Sequence, residues 1–87
     1  MLQLGFLYRV MRALKVDAMN IITTTERPDR VKPGDRVYSK LTRSYELYRN
    51  VSWDDRQQSY LMVLGIDGQI HQSFRQGEKA FVRRSYN

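Results

Sequence analysis

Cysteine is absent from this 87-residue chain, and histidine occurs once, as His71. Disulfides are therefore excluded, and a zinc site is disfavoured because a lone imidazole cannot assemble its ligand set. No apolar run approaches the roughly 18 residues of a membrane-spanning helix. Acid is scarce: 9 Asp and Glu face 15 Lys and Arg, for a formal net charge of +6, and the first carboxylate is Asp17. Gly65, Gly68 and Gly77 have neither phosphate-loop nor dinucleotide-binding spacing, so they read as turn punctuation. No nucleophile, base and orienting group fall into a recognisable pattern. The Asp54-Asp55 pair is explained by a turn, since an oxygen-rich cation site needs more ligands than that loop holds. The chain is thus expected to be non-enzymatic, without cofactor or metal.

What is present is mainly strand and turn signal. Asp67-Gly68 suits a tight hairpin loop, because these residues tolerate positive φ. Taking those two as the turn pairs Leu64 with His71, Val63 with Gln72 and Leu61 with Phe74. Leu61, Val63, Ile70 and Phe74 then share one face, with Met62, Leu64 and Ile66 on the other. Upstream, Tyr45, Leu47, Val51 and Trp53 alternate onto one face, interrupted by Arg49, and Trp53–Gln57 supplies a second turn. Residues 45–74 are therefore expected to form a three-stranded antiparallel meander. Trp53, in phase with Leu47 and Val51, reads as a core anchor; its other reading is an interface hot spot.

The flanks complete the fold. Leu4, Leu7, Met11 and Leu14 recur at helical spacing in residues 1–18, with Arg9, Arg12 and Lys15 between them. This predicts an amphipathic helix covering Met62, Leu64 and Ile66. The same acid-free, arginine-bearing segment also fits a docking element for a membrane surface or partner groove, or a transit peptide. A secretory signal lacks a preceding charge and a clear cleavage site, and Met19 offers an alternative start. Asn20–Thr25 is β-prone and reads as an edge strand, followed by a charged loop around Pro28. Pro33-Gly34 fits a type II turn, and the strand after it places Arg36, Tyr38 and Lys40 on one face and Val37 and Leu41 on the other. Lys79–Arg84 reads as a last strand, with Ala80 and Val82 inward and Phe81 and Arg83 outward, or the reverse.

The Pro33-Gly34-Asp35 turn before a basic strand, together with the spacing of the later meander, resembles the opening strand of SH3-like small barrels. That resemblance covers about ten residues plus the meander, and it implies a fold only. The expected class is α+β. An N-terminal helix (1–18) and a connector with an edge strand (19–34) precede a bent antiparallel sheet or barrel of about five strands (35–84), all in a single domain.

Charge points to partners. Residues 45–66 carry −1, while 1–18, 19–44 and 67–87 carry +2, +3 and +2, so the basic excess lies outside the meander. Tyr38, Tyr45, Tyr48, Phe81 and Tyr86 are interleaved with basic residues, and aromatic platforms in a basic groove suit single-stranded nucleic acid. Tyrosine also suits any half-buried strand and arginine any protected edge. The expected contact set is Arg36, Tyr38, Lys40, Arg43, Arg83 and Arg84, on a cytoplasmic protein that binds single-stranded or structured nucleic acid. The other expectation is an adaptor or inhibitor, of the kind phages and mobile elements encode. It would bind a protein, or a second copy of itself as a homodimer, through the helix or the Trp53 region.

Overall fold

The longest strand organises the molecule. In the computed structural model, which describes residues 21–85, Ser44–Asp54 runs as one strand of 11 residues, and it pairs with different neighbours along its length. Tyr45, Glu46 and Leu47 pair with Tyr38, Val37 and Arg36; Tyr48 and then Asn50 to Asp54 pair with Leu64 and Val63 to Ser59. With the strands numbered β1 (Ile21–Glu26), β2 (Arg36–Ser39), β3 (Ser44–Asp54), β4 (Ser59–Leu64), β5 (Ile70–Arg75) and β6 (Ala80–Ser85), the sheet order is β1-β6-β2-β3-β4-β5, and every pairing is antiparallel. A 3-10 turn at Pro28–Arg30 separates β1 from β2.

Arg49 marks the corner. The register shifts between Tyr48 and Asn50, so Arg49 is the extra residue of a β-bulge, and its Nη1 donates to the Ile66 carbonyl at 3.2 Å. A bulge bends its strand and shifts the side-chain phase by one residue. Tyr45 and Leu47 therefore point out of the sheet while Val51 and Trp53 point in, which corrects their expected placement on a common face. Buried Gln72 ties the edge strand β5 back to β2 across the bend: its Oε1 accepts from the Lys40 amide at 3.0 Å, and its Nε2 donates to the Tyr38 carbonyl at 3.4 Å.

The core is built from Val31, Val37, Met62, Leu64, Phe74, Ala80 and Val82, with Tyr48, Val51, Tyr60 and Ile70 packed against it. Val37, Met62, Leu64 and Val82 are fully buried, and burial of such a side chain is worth ~1.5–3 kcal/mol. This differs from the sequence-based expectation, which places Leu61 and Val63 of β4 in the core. The turn is centred on Ile66 and Asp67, with the Gly68 amide donating to the Gly65 carbonyl at 3.1 Å. Gly65 takes φ +98° and Gly68 φ +70°, so β4 ends at Leu64, which pairs with Ile70 rather than His71. A one-residue slip in register turns every side chain to the other face. Met62 and Leu64 thus face the core, and Leu61 and Val63 face out.

The α+β class is corrected in the same way. Among the described residues there is no α-helix, and six strands carry the fold instead of about five. Met62 and Leu64 find their cover within the bent sheet, against Val37, Ala80 and Val82, while Ile66 is exposed in its loop and needs none. The helix expected over 1–18, with its docking and transit alternatives, lies outside the described residues. The bent sheet is compatible with the SH3-like analogy, and the Pro33-Gly34 turn forms as expected: Gly34 has φ +93° and the Asp35 amide donates to the Lys32 carbonyl at 3.0 Å. No described helix is long and apolar enough to cross a membrane.

Candidate functional site

The strand order does what local pattern does not, because it inserts β6 between β1 and β2. Cross-strand partners lie on the same face of a sheet. Val82 pairs with Val37 in the core, so Arg83 and Arg36, also direct partners, share the outer face. The next pairings extend that face to Thr23 beside Arg83, Leu47 beside Arg36, and Tyr45 beside Tyr38. Ile21, Thr25, Phe81 and Ser85 complete the outward positions. None of these is a carboxylate.

Three of the side chains are organised against one another. The Arg83 guanidinium carbon sits 4.0 Å above the centre of the Tyr45 ring. Tyr45 meets Tyr38 edge to face, with ring centres 5.5 Å apart. A guanidinium on an aromatic face gains ~0.5–1 kcal/mol at an exposed site and more when desolvated. The stack therefore restrains a long, otherwise mobile side chain on a rigid sheet. The alternation of β3 groups Tyr45 with Leu47, Val51 and Trp53, and the interleaving of aromatic and basic residues makes it a candidate platform; its partnership with Arg83 depends on the β2–β6 pairing, which has no local signature.

The expected contact residues divide into three groups. Arg36, Tyr38 and Arg83 are brought together on the outer face. Lys40 and Arg43 sit in the β2–β3 hairpin loop, where the largely solvated Lys40 Nζ lies 3.4 Å from Oε2 of half-buried Glu78. Arg43 adopts φ +57°, and its amide donates to the Ser39 carbonyl at 2.8 Å; the fully buried Ser39 hydroxyl also accepts from the Leu41 and Thr42 amides. Arg84 is directed away from the other five. On the inner side its Nε and Nη2 donate to Asp35 at 3.2 and 2.6 Å, and its Nη1 to Glu26 Oε2 at 2.9 Å. That side chain is only 18% exposed. Its hydrogen bonds to Asp35 raise the guanidinium pKa further above its ordinary value, against the opposing effect of burial. Arg84 fastens β6 to β1 and to the turn before β2.

Other sequence candidates resolve more simply. His71 is exposed and pairs with Val63. Trp53 is 40% exposed at the end of β3, packed edge to face on Tyr60 with ring centres 4.8 Å apart. Its Nε1 lies 3.4 Å from Asp55 Oδ1. Asp54 is a turn residue, its Oδ1 accepting from the Arg56 amide at 3.0 Å. Tyr48 faces inward, and burial together with the nearby Asp35 charge pushes its hydroxyl pKa up. Phe81 is exposed on the outer face, and Tyr86 lies outside the described residues.

An open groove of about 380 Å³ crosses one end of the outer face, bordered by Ile21, Gly34, Arg36, Arg83, Arg84 and Ser85. No protein-family model matches the chain, and comparisons with curated proteins and with solved structures return no match.

Proposed function

We propose that this chain is a non-enzymatic nucleic-acid-binding module that engages a single strand through the outer face of β1, β6, β2 and the first half of β3. The observation carrying this reading is the Arg83–Tyr45–Tyr38 stack beside Arg36 on a face without carboxylates. Bases have π-faces that stack on aromatic rings or guanidinium planes regardless of sequence, at ~1–3 kcal/mol per base. The basic side chains follow the backbone phosphates. Lys40 and Arg43 extend the positive charge to the hairpin loop, and Arg84 drops out of the contact set.

The test is a fluorescence-anisotropy titration with labelled single- and double-stranded oligonucleotides at about 50 and 200 mM salt, a range that exposes phosphate contacts. Micromolar or tighter binding of the single strand, weakening steeply with salt and with Tyr38→Ala, is expected. Absence of binding at the lower salt overturns the proposal. One observation favours a second reading as a protein-binding adaptor or inhibitor. Trp53, expected in the core, is partly exposed beside Tyr60 at the far end of the meander, where it is available as an interface anchor. Binding of that kind depends little on salt and is lost in Trp53→Ala.

A further inference from the structure

Arg36 and Arg83 stand directly opposite each other across the β2–β6 ladder, on the same face. Like charges in that relation repel and destabilise a sheet. The ion pairs of the described residues engage Arg27, Lys40 and Arg84, and the outward positions around Arg36 and Arg83 provide no acid. Arg36 and Arg83 instead both line one open groove, which Gly34 and Ser85 also border. A side chain added at Gly34 would meet nothing within 4 Å, so the backbone of that turn is uncovered. Arg83 is held in place by Tyr45, and the guanidinium of neighbouring Arg84 is committed to Asp35 and Glu26.

We propose that this groove is the seat of a single phosphate group, held between the guanidinium groups of Arg36 and Arg83. A phosphate supplies the missing negative charge, and its oxygens match the planar donor forks of arginine. Assigning that phosphate to the backbone of a bound strand rests on the nucleic-acid reading above; the anion chemistry does not. Tyr38 follows Arg36 by two residues on the same face, about 6.6 Å along the strand. That spacing brings the base next to the seated phosphate within reach of the tyrosine ring.

The experiment has two arms on the full chain. In the first, inorganic phosphate is titrated against isotope-labelled protein and followed by NMR. Saturable shifts confined to the side-chain Nε–H of Arg36 and Arg83 and the amides of Gly34 and Ser85 are expected, and Arg36→Gln or Arg83→Gln abolishes them. Absent shifts, or shifts spread equally over solvated arginines such as Arg27 and Arg56, overturn the seat. In the second arm, each variant is titrated with the single-stranded oligonucleotide. Loss of one phosphate contact lowers the salt slope by about 0.7 on a single strand, so each variant loses about 2.6-fold less affinity than the parent chain between ~50 and 200 mM salt. Phosphate shifts without oligonucleotide binding retain the seat, reject the nucleic-acid reading and assign the site to another phosphate-bearing ligand. Oligonucleotide binding with unaltered slopes in both variants retains that reading and rejects the seat. Melting temperatures in phosphate-free buffer verify that both variants fold: the relief of repulsion raises that of Arg36→Gln, and in Arg83→Gln it is offset by the lost contact with Tyr45.

Discussion

The two halves of the bent sheet share one core and present contrasting outer faces. On one side of the bulge, β1, β6, β2 and the start of β3 display Arg36, Arg83, Tyr38, Tyr45 and Phe81. On the other, the end of β3 with β4 and β5 displays Asn50, Ser52, Leu61, Val63, His71 and Ser73, with one acid and one base, Asp54 and Arg75, at the strand ends. Both surfaces are built on strands of the same period, and both back onto fully buried residues, Val37 and Val82 in the first half and Met62 and Leu64 in the second. Packing therefore does not account for the difference. The first surface holds opposed cations and a cation on an aromatic ring, arrangements that stability alone does not require. The second has the composition of a plain solvated sheet.

The contrast can be broken most forcefully from beneath. Leu64→Ala removes a fully buried side chain and should cost ~2–5 kcal/mol, read as a fall in the chemical-denaturation midpoint. Because both halves rest on one core, the outer face should lose the proposed nucleic-acid binding only when the whole chain unfolds. Two separate transitions would show instead that the halves are energetically independent.

Neighbouring arginines on β6 sharpen the comparison next. Arg84→Gln leaves Asp35, a buried carboxylate, short of its bidentate partner and should cost ~1–3 kcal/mol of stability, with little change in the salt slope of binding. Arg83→Gln should do the converse. Equal effects of the two on binding would place Arg84 back among the contacts.

Arg43 gives a smaller effect. A non-glycine residue at φ +57° carries a strain that glycine avoids, so Arg43→Gly should raise stability by up to ~1 kcal/mol. If the hairpin loop contacts the strand, the same change should weaken binding. A gain in stability with unchanged affinity would confine the interface to Arg36, Tyr38 and Arg83.

The smallest effect is alkaline. The Tyr48 hydroxyl is held protonated by burial and by Asp35, so its folded pKa exceeds its unfolded value. Its contribution to stability is complete below about pH 10, the ordinary tyrosine pKa, and is lost as pH rises through the folded value. Tyr48→Phe should flatten that alkaline decline and leave binding at neutral pH untouched, because the ring faces inward.

Much of this architecture is written in local pattern. The β-prone run after Asn20, the Pro33-Gly34 turn, the alternation through Arg36–Tyr38 and the Ala80–Arg83 alternation each correspond to an observed element. Phase and partnership are harder to read. The signal at Asp67-Gly68 was genuine, since Gly68 has positive φ, yet Gly65 takes positive φ as well and moves the turn by one residue, enough to exchange Leu61 and Val63 for Met62 and Leu64 in the core. Arg49 interrupted an otherwise regular alternation, and the interruption was itself the mark of the bulge. Alternation also states that Arg83 and Arg84 oppose each other; it does not state which of them meets solvent.

By itself, the sequence determined the elements: short strands, because β-branched and aromatic residues alternate between turn formers, and a basic balance without the residue types for disulfides or a zinc site. The tertiary structure alone decided which faces those strands present. Hydrogen bonding between strands distant in sequence fixes register, and register together with a bulge assigns each side chain to core or solvent. Bringing β6 beside β2 sets Arg83 against Arg36 and over Tyr45, a juxtaposition of residues far apart in the chain that no local pattern encodes.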